Sequence, residues 1–149
     1  MANNTVKLHR VFTAPVEKVF KAFSDPDAIA FWFPPNGFLC KVHSIDFKIG
    51  GTYEMSFKNF TTNSSHTFGG TYIDIQTNKL IKNTDQFDDP NMPGKMITTV
   101  ELAEISCGTE LFITQEGIPD SIPTELCYLG WQESLYKLKT LVEPNIPDS

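Results

Sequence analysis

A chain of 149 residues with 40% apolar content is long enough to bury a sizeable core as a single domain, without disulfides or a structural metal. Its net charge of −6 argues against nucleic acid as a partner, because phosphate binding needs clustered Lys and Arg that this chain lacks. No apolar run approaches the roughly 18 residues needed to cross a bilayer, so stable membrane insertion is not expected. In chain order, Val6, Leu8, Arg10 and Phe12 alternate with Lys7, His9 and Val11, which predicts a first strand from Thr5 to Phe12. Thr13-Ala14-Pro15 stops it and opens a short helix, with Val16, Val19, Phe20 and Phe23 as its apolar stripe and Glu17 placed to suit the helix dipole. Asp25 is set to cap a second short helix in which Ala28, Ile29, Phe31 and Trp32 pack, and Pro34-Pro35-Asn36-Gly37 ends it.

From Phe38 the apolar period becomes two. The pattern predicts strands over Phe38 to Phe47, Thr52 to Phe60, His66 to Ile75, Lys79 to Phe87, Met96 to Ile105 and Thr109 to Glu116. Tyr53, Met55 and Phe57 share one face of the second of these. Gly69-Gly70 inside the third suggests a bulge or sharp bend. Asp88 to Gly94 is a loop. After the Pro-rich connection from Gly117 to Pro123, a long helix is predicted from about Ser121 to Glu143. Taken at about 100° per residue, its Trp131, Leu135, Leu138 and Val142 fall within an arc of roughly 60°, with Lys137 and Lys139 expected on the solvent side. The order strand, two short helices, six-stranded meander and long helix indicates a single α+β domain over residues 1–149, with an ordered core of about 4–143.

This order and several local motifs resemble the START-like (SRPBCC) helix-grip superfamily. Within it, the chain is similar to proteins like the C-terminal domain of the activator of heat shock protein 90 ATPase. The likeness is carried by the segment from Arg10 to Pro26 (RVFTAPVEKVFKAFSDP), Phe31-Trp32, Asp46 to Gly51 (DFKIGG), Gly70-Thr71-Tyr72, Gly108-Thr109 with Leu111, and Gly130-Trp131 opening the final helix. The resemblance implies a curved antiparallel sheet gripping the long C-terminal helix, with a cavity between them. It implies no particular reaction, because members carry or sense lipids, hormones and polyketides, and some are cyclases.

The residues themselves show little catalytic chemistry. His9, His43 and His66 stand singly on separate strands, so no metal site is expected, and no cofactor is implied. Cys40, Cys107 and Cys127 are distant and odd in number, which fits free thiols in a reducing compartment. MANNTVKLHR has no apolar signal core, so a cytoplasmic location is expected. No G-x-S-x-G occurs, and Gly50-Gly51 and Gly69-Gly70 lie in or beside strands rather than before a helix. Asp85, Glu101, Glu104, Glu110 and Glu116 are the remaining candidates for acid or base. Alternation turns Glu101 and Glu110 away from their apolar neighbours, and most of the five are expected in solvent.

Aromatic residues give the stronger lead. Trp32, Tyr53, Phe57, Phe68, Tyr72 and Trp131, with Leu135, are the candidate ligand-binding residues. They either fill the gap between helix and sheet or wall an apolar pocket of roughly 300–1,000 Å³, whose mouth is expected near the short helices and the Asp88 to Gly94 loop. The leading expectation is a binding protein for a small hydrophobic or amphipathic molecule such as a lipid, polyketide or flavonoid. A chaperone-interaction module, which the resemblance suggests, is the alternative, followed by an enzyme acting on a hydrophobic substrate.

Overall fold

Residues 4–88 and 94–148 are described here from a computed structural model. Ten elements follow in the order β1 (Val6–Phe12), α1 (Val16–Ala22), α2 (Pro26–Trp32), β2 (Phe38–Ile45), β3 (Thr52–Asn59), β4 (Ser65–Gln76), β5 (Leu80–Phe87), β6 (Met96–Ile105), β7 (Gly108–Glu116) and α3 (Thr124–Val142). All seven strands join one antiparallel sheet ordered β1-β7-β6-β5-β4-β3-β2. The meander from β2 to β7 pairs neighbour with neighbour, and β1 closes the far edge against β7. The helices lie over the inner face, with α3 touching β1, α1 and α2. This is the curled sheet and long terminal helix of the helix-grip α+β fold.

Local chemistry explains the corners. Asp25 caps α2, its Oδ1 accepting from the backbone N–H of Asp27 at 2.9 Å and of Ala28 at 3.3 Å. Trp32 Nε1 donates to the Ala22 carbonyl at 2.8 Å and ties α2 back onto the end of α1. In the buried corner between β1 and α1, Thr109 Oγ1 donates to the Ala14 carbonyl at 2.8 Å. No side chain caps α1, whose N-cap is Pro15 itself.

Three expectations change. Phe31 is 51% exposed, and its neighbour Phe33 turns inward instead. At 100° per residue, Ile29, Trp32 and Phe33 share one arc of α2 while Phe31 falls opposite, so the i, i+3, i+4 spacing decides the matter. Lys137 is not a freely solvated residue: it is half-buried and its Nζ donates to the carbonyl of Pro34. The register shift of the bulge or bend expected at Gly69-Gly70 lies farther on, although β4–β5 pairing is interrupted at Gly70 and Thr71. The β4–β5 register holds from Phe68↔Phe87 to Tyr72↔Asn83 and shifts only between Tyr72 and Asp74. The glycines answer a different need, close approach of backbone. A Cβ on Gly70 would collide with the carbonyl oxygen of Thr84, and one on Gly69 with that of Tyr53. At this point the Thr84 hydroxyl also accepts from the Thr71 N–H at 2.9 Å, side chain substituting for backbone in the ladder.

Candidate functional site

Between the inner sheet face and the first half of α3 lies a cavity of about 240 Å³. Trp32 on α2, Tyr53 and Phe57 on β3, Phe68 and Tyr72 on β4, and Trp131 on α3 all stand on its wall. Alternation explains the sheet members, since Tyr53, Met55 and Phe57 on β3 and Phe68 and Tyr72 on β4 are spaced by even numbers and share one face. Leu135 is not on the wall, although it is 1% exposed. The cavity underlies the Cys127, Gly130, Trp131 and Ser134 turns of α3. Leu135, Leu138 and Val142, which follow them along the helix, are buried in the continuous core.

The volume falls below the range expected from the sequence. The reason is an aromatic cluster centred on Phe33, whose ring lies 5.7 Å from that of Phe57, 6.3 Å from Phe68, 5.8 Å from Trp131 and 5.3 Å from Trp32. These edge-to-face and tilted contacts fill part of the gap that the curved sheet leaves. The segment bearing Phe33 is clipped to α3. Ser134 Oγ donates to the Phe33 carbonyl at 2.6 Å, Lys137 Nζ to that of Pro34, and the Asn36 N–H to Glu133 Oε1 at 3.1 Å. Of the expected mouth, residues 89–93 lie outside those described. Phe87 and Met96, which flank that loop, are both on the wall.

The chemistry of the cavity is concentrated at one spot. Asp85 is buried, and its carboxylate meets the Tyr53 hydroxyl at Oδ1 and the Thr98 hydroxyl, which donates to Oδ2 at 2.7 Å. Asn83 Nδ2 reaches the Tyr53 oxygen at 3.2 Å and Asp85 Oδ1 at 3.4 Å. Burial drives the Asp85 pKa above the usual carboxylate range, against the opposing effect of the hydrogen bonds from Tyr53 and Thr98. Burial, followed by the nearby Asp85 charge, likewise raises the pKa of Tyr53 and of Tyr72. The Tyr53 hydroxyl also lies 2.8 Å from the Thr84 carbonyl. Its one proton thus faces two acceptors, Asp85 Oδ1 and the Thr84 carbonyl.

Beside this cluster, where Met96 pairs with Asp85 and Gln115 with Thr98 across the strands, Trp131 Nε1 donates to Gln115 Oε1 at 3.0 Å, and Gln115 Nε2 donates to the Met96 sulfur at 3.7 Å. Asp85 is one of the five candidate acids or bases that the sequence pattern offers, whereas Gln115 and Phe33 are not among the candidate residues. The signal for Asp85 was present, since Ile81, Asn83, Asp85 and Phe87 alternate on β5 and all four face the cavity. Glu101, Glu104 and Glu116 are exposed and Glu110 is half-buried, with its Oε2 2.8 Å from His9 Nε2. The described residues contain no cluster of three or more His, Cys, Asp or Glu able to hold a metal. Cys127 lies on the wall, but burial raises its pKa, so it is a poor source of thiolate. Among the described residues, no helix is long and apolar enough to cross a membrane.

The family model described as Activator of Hsp90 ATPase homolog 1-like protein matches residues 13–143. A crystal structure of a protein from Chromobacterium violaceum shares 54% identity over 95% of this chain and 99% of that one, with a TM-score of 0.94. An AHSA1-like protein from Aeromonas hydrophila shares 21% identity over 93% and 92%, with a TM-score of 0.74. A Staphylococcus epidermidis protein shares 19% over 100% and 95%, with a TM-score of 0.80. The two more distant likenesses concern the fold alone. No curated protein matches the chain.

Proposed function

The chain belongs to the Activator of Hsp90 ATPase homolog 1-like family, and from that premise we propose that it binds a small, mainly hydrophobic molecule between the sheet and α3. The observation that carries this reading is the 240 Å³ cavity itself, walled by aromatic rings with a few convergent polar groups. That is the usual composition of a small-molecule site. The volume sets the ligand's size. An apolar cavity of about 150 Å³ holds one benzene, so this one suits a body of one or two rings and is too small for a whole two-chain lipid. The Phe33 segment and the Pro35 corner lie in a connection rather than in a paired strand, and the Ser134, Lys137 and Glu133 bonds hold them to α3.

The test uses 4-(dimethylamino)benzonitrile, a neutral one-ring probe whose emission rises in apolar surroundings. Saturable enhancement with micromolar affinity is expected, together with a change in the emission of Trp131 on the wall. Gly130→Phe is the control. Gly130 lines the cavity, and a Cβ placed there meets nothing within 4 Å, so a large side chain should occupy the void while the fold persists. Loss of enhancement in that variant, with cooperative unfolding retained, supports the reading. Enhancement unchanged by filling the cavity, or none in the natural protein, overturns it. The family's description mentions activation of an Hsp90 ATPase, and a chaperone-interaction module would then become the leading reading.

A further inference from the structure

Among the described residues, every ionisable group on the cavity wall except one is a phenol or a thiol. The exception, Asp85, is a carboxyl with no cation opposite it: the wall includes Tyr53 from β3, Tyr72 from β4, Thr98 from β6 and Cys127 from α3, and no Lys, Arg or His among the described residues. Its present partners are the neutral donors Tyr53, Thr98 and Asn83. A carboxylate can accept at about four positions, and these three donors leave at least one free. The same wall carries the rings of Tyr53, Tyr72, Phe68, Phe87 and Trp131, of which Tyr53 bonds the carboxyl directly. Aromatic faces attract cations through their quadrupole. A lone carboxyl on an aromatic wall offers the negative half of an ion pair whose positive half the described wall does not supply.

We propose that the cavity takes a small organic amine, its ammonium group hydrogen-bonded to Asp85 and its apolar body against the aromatic wall. This rests on the binding function proposed above and names its ligand class. Tyr53 and Thr98 hold the carboxylate in place and share its charge, so the ion pair forms with both partners hydrogen-bonded, the condition under which burying one is tolerated. In the empty cavity burial favours the protonated acid. When a ligand arrives as ammonium, Asp85 releases its proton to solvent, and the two charges then neutralise each other. The same arrangement disfavours carboxylate ligands, since a second anion beside Asp85 would have to be protonated or remain unpaired.

Three compounds with one phenyl ring separate the possibilities by calorimetry: 2-phenylethylamine, 2-phenylethanol and 3-phenylpropanoate. At pH 7 the amine should bind at least tenfold more tightly than the alcohol, and the propanoate should bind most weakly. Repeating the titration in buffers of different ionisation enthalpy should show up to one proton released per amine bound and none for the alcohol. Asp85→Asn should abolish both the amine's advantage and its proton release while still binding the alcohol. If Asp85→Asn does not fold, the proton count and its decline towards high pH in the natural protein give the same reading. An alcohol that binds as well as the amine, or amine binding indifferent to Asp85→Asn, overturns the amine assignment and leaves the cavity function standing. Failure of all three compounds while 4-(dimethylamino)benzonitrile binds does the same. Failure of that probe as well overturns both.

Discussion

Leu135→Ala tests whether the grip of the sheet on α3 supplies stability or merely geometry. Leu135 is 1% exposed and lies in the continuous core, outside the cavity wall. The substitution removes three carbons. At about 0.8 kcal/mol per buried methylene, the lost transfer free energy is about 2.4 kcal/mol. A residual void adds about 24 cal/mol per Å³, so incomplete collapse leaving about 50 Å³ contributes about 1.2 kcal/mol more. The expected cost is therefore about 3.5 kcal/mol, within the measured range of about 2–5 for such changes. Urea unfolding read by far-ultraviolet circular dichroism should show a lower midpoint with an unchanged slope. In a domain of this size the thermal midpoint should fall by about 7–14 °C. Lys139→Ala is the control. Its Nζ makes an exposed bond of 2.8 Å to Glu143 Oε1, one turn on, and its loss should cost no more than about 0.5 kcal/mol. A cost below about 1 kcal/mol for Leu135→Ala would mean that this stretch of α3 is loosely held, and the gripping arrangement would be refuted.

Lys137→Met keeps the apolar stem but removes the donor to the Pro34 carbonyl. It should destabilise by about 1–2 kcal/mol, more than Lys139→Ala, and by releasing the Phe33 segment it should speed probe dissociation in stopped-flow. Burial lowers the Lys137 pKa, a desolvation cost that Met relieves and that keeps the expected loss modest. Gly130→Ala should stabilise by about 0.5–1 kcal/mol, since the position is helical and open, whereas Gly70→Ala should be severely destabilising because of the collision with Thr84; equal effects in chemical unfolding would contradict the close approach. The Asp85 carboxyl, held above its unfolded value near 3.8, binds its proton more tightly in the folded protein. Its contribution to stability is thus greatest at low pH and declines as pH rises from that value through the folded pKa. The stability of Asp85→Asn relative to the natural protein should rise across that window, and a difference independent of pH would show that the carboxyl is not perturbed.

Much of this fold was legible in order and type of element, because hydrophobic periodicity is a local property written along each segment. Even spacing put Tyr53, Phe57, Phe68 and Tyr72 on the inner face, and the i, i+4, i+7 spacing of Trp131, Leu135 and Leu138 marked the inner stripe of α3. The same rules, applied to β5 and α2, would have turned Asp85 inward beside Ile81 and Phe87, and Phe33 inward in place of Phe31.

Periodicity says which way a side chain faces but not what stands opposite it. That Asp85 meets Tyr53 and Thr98, that Lys137 reaches Pro34, and that Thr84 crowds Gly70 are matters of register and helix placement between segments 13 to 103 residues apart. The void is of the same kind. Large rings can either fill the space between a curved sheet and a straight helix or line it. Trp131 and Leu135 carry nearly the same helical address, yet one borders a cavity and the other solid core, because the sheet curves away from the first half of α3 and the core closes beneath the second.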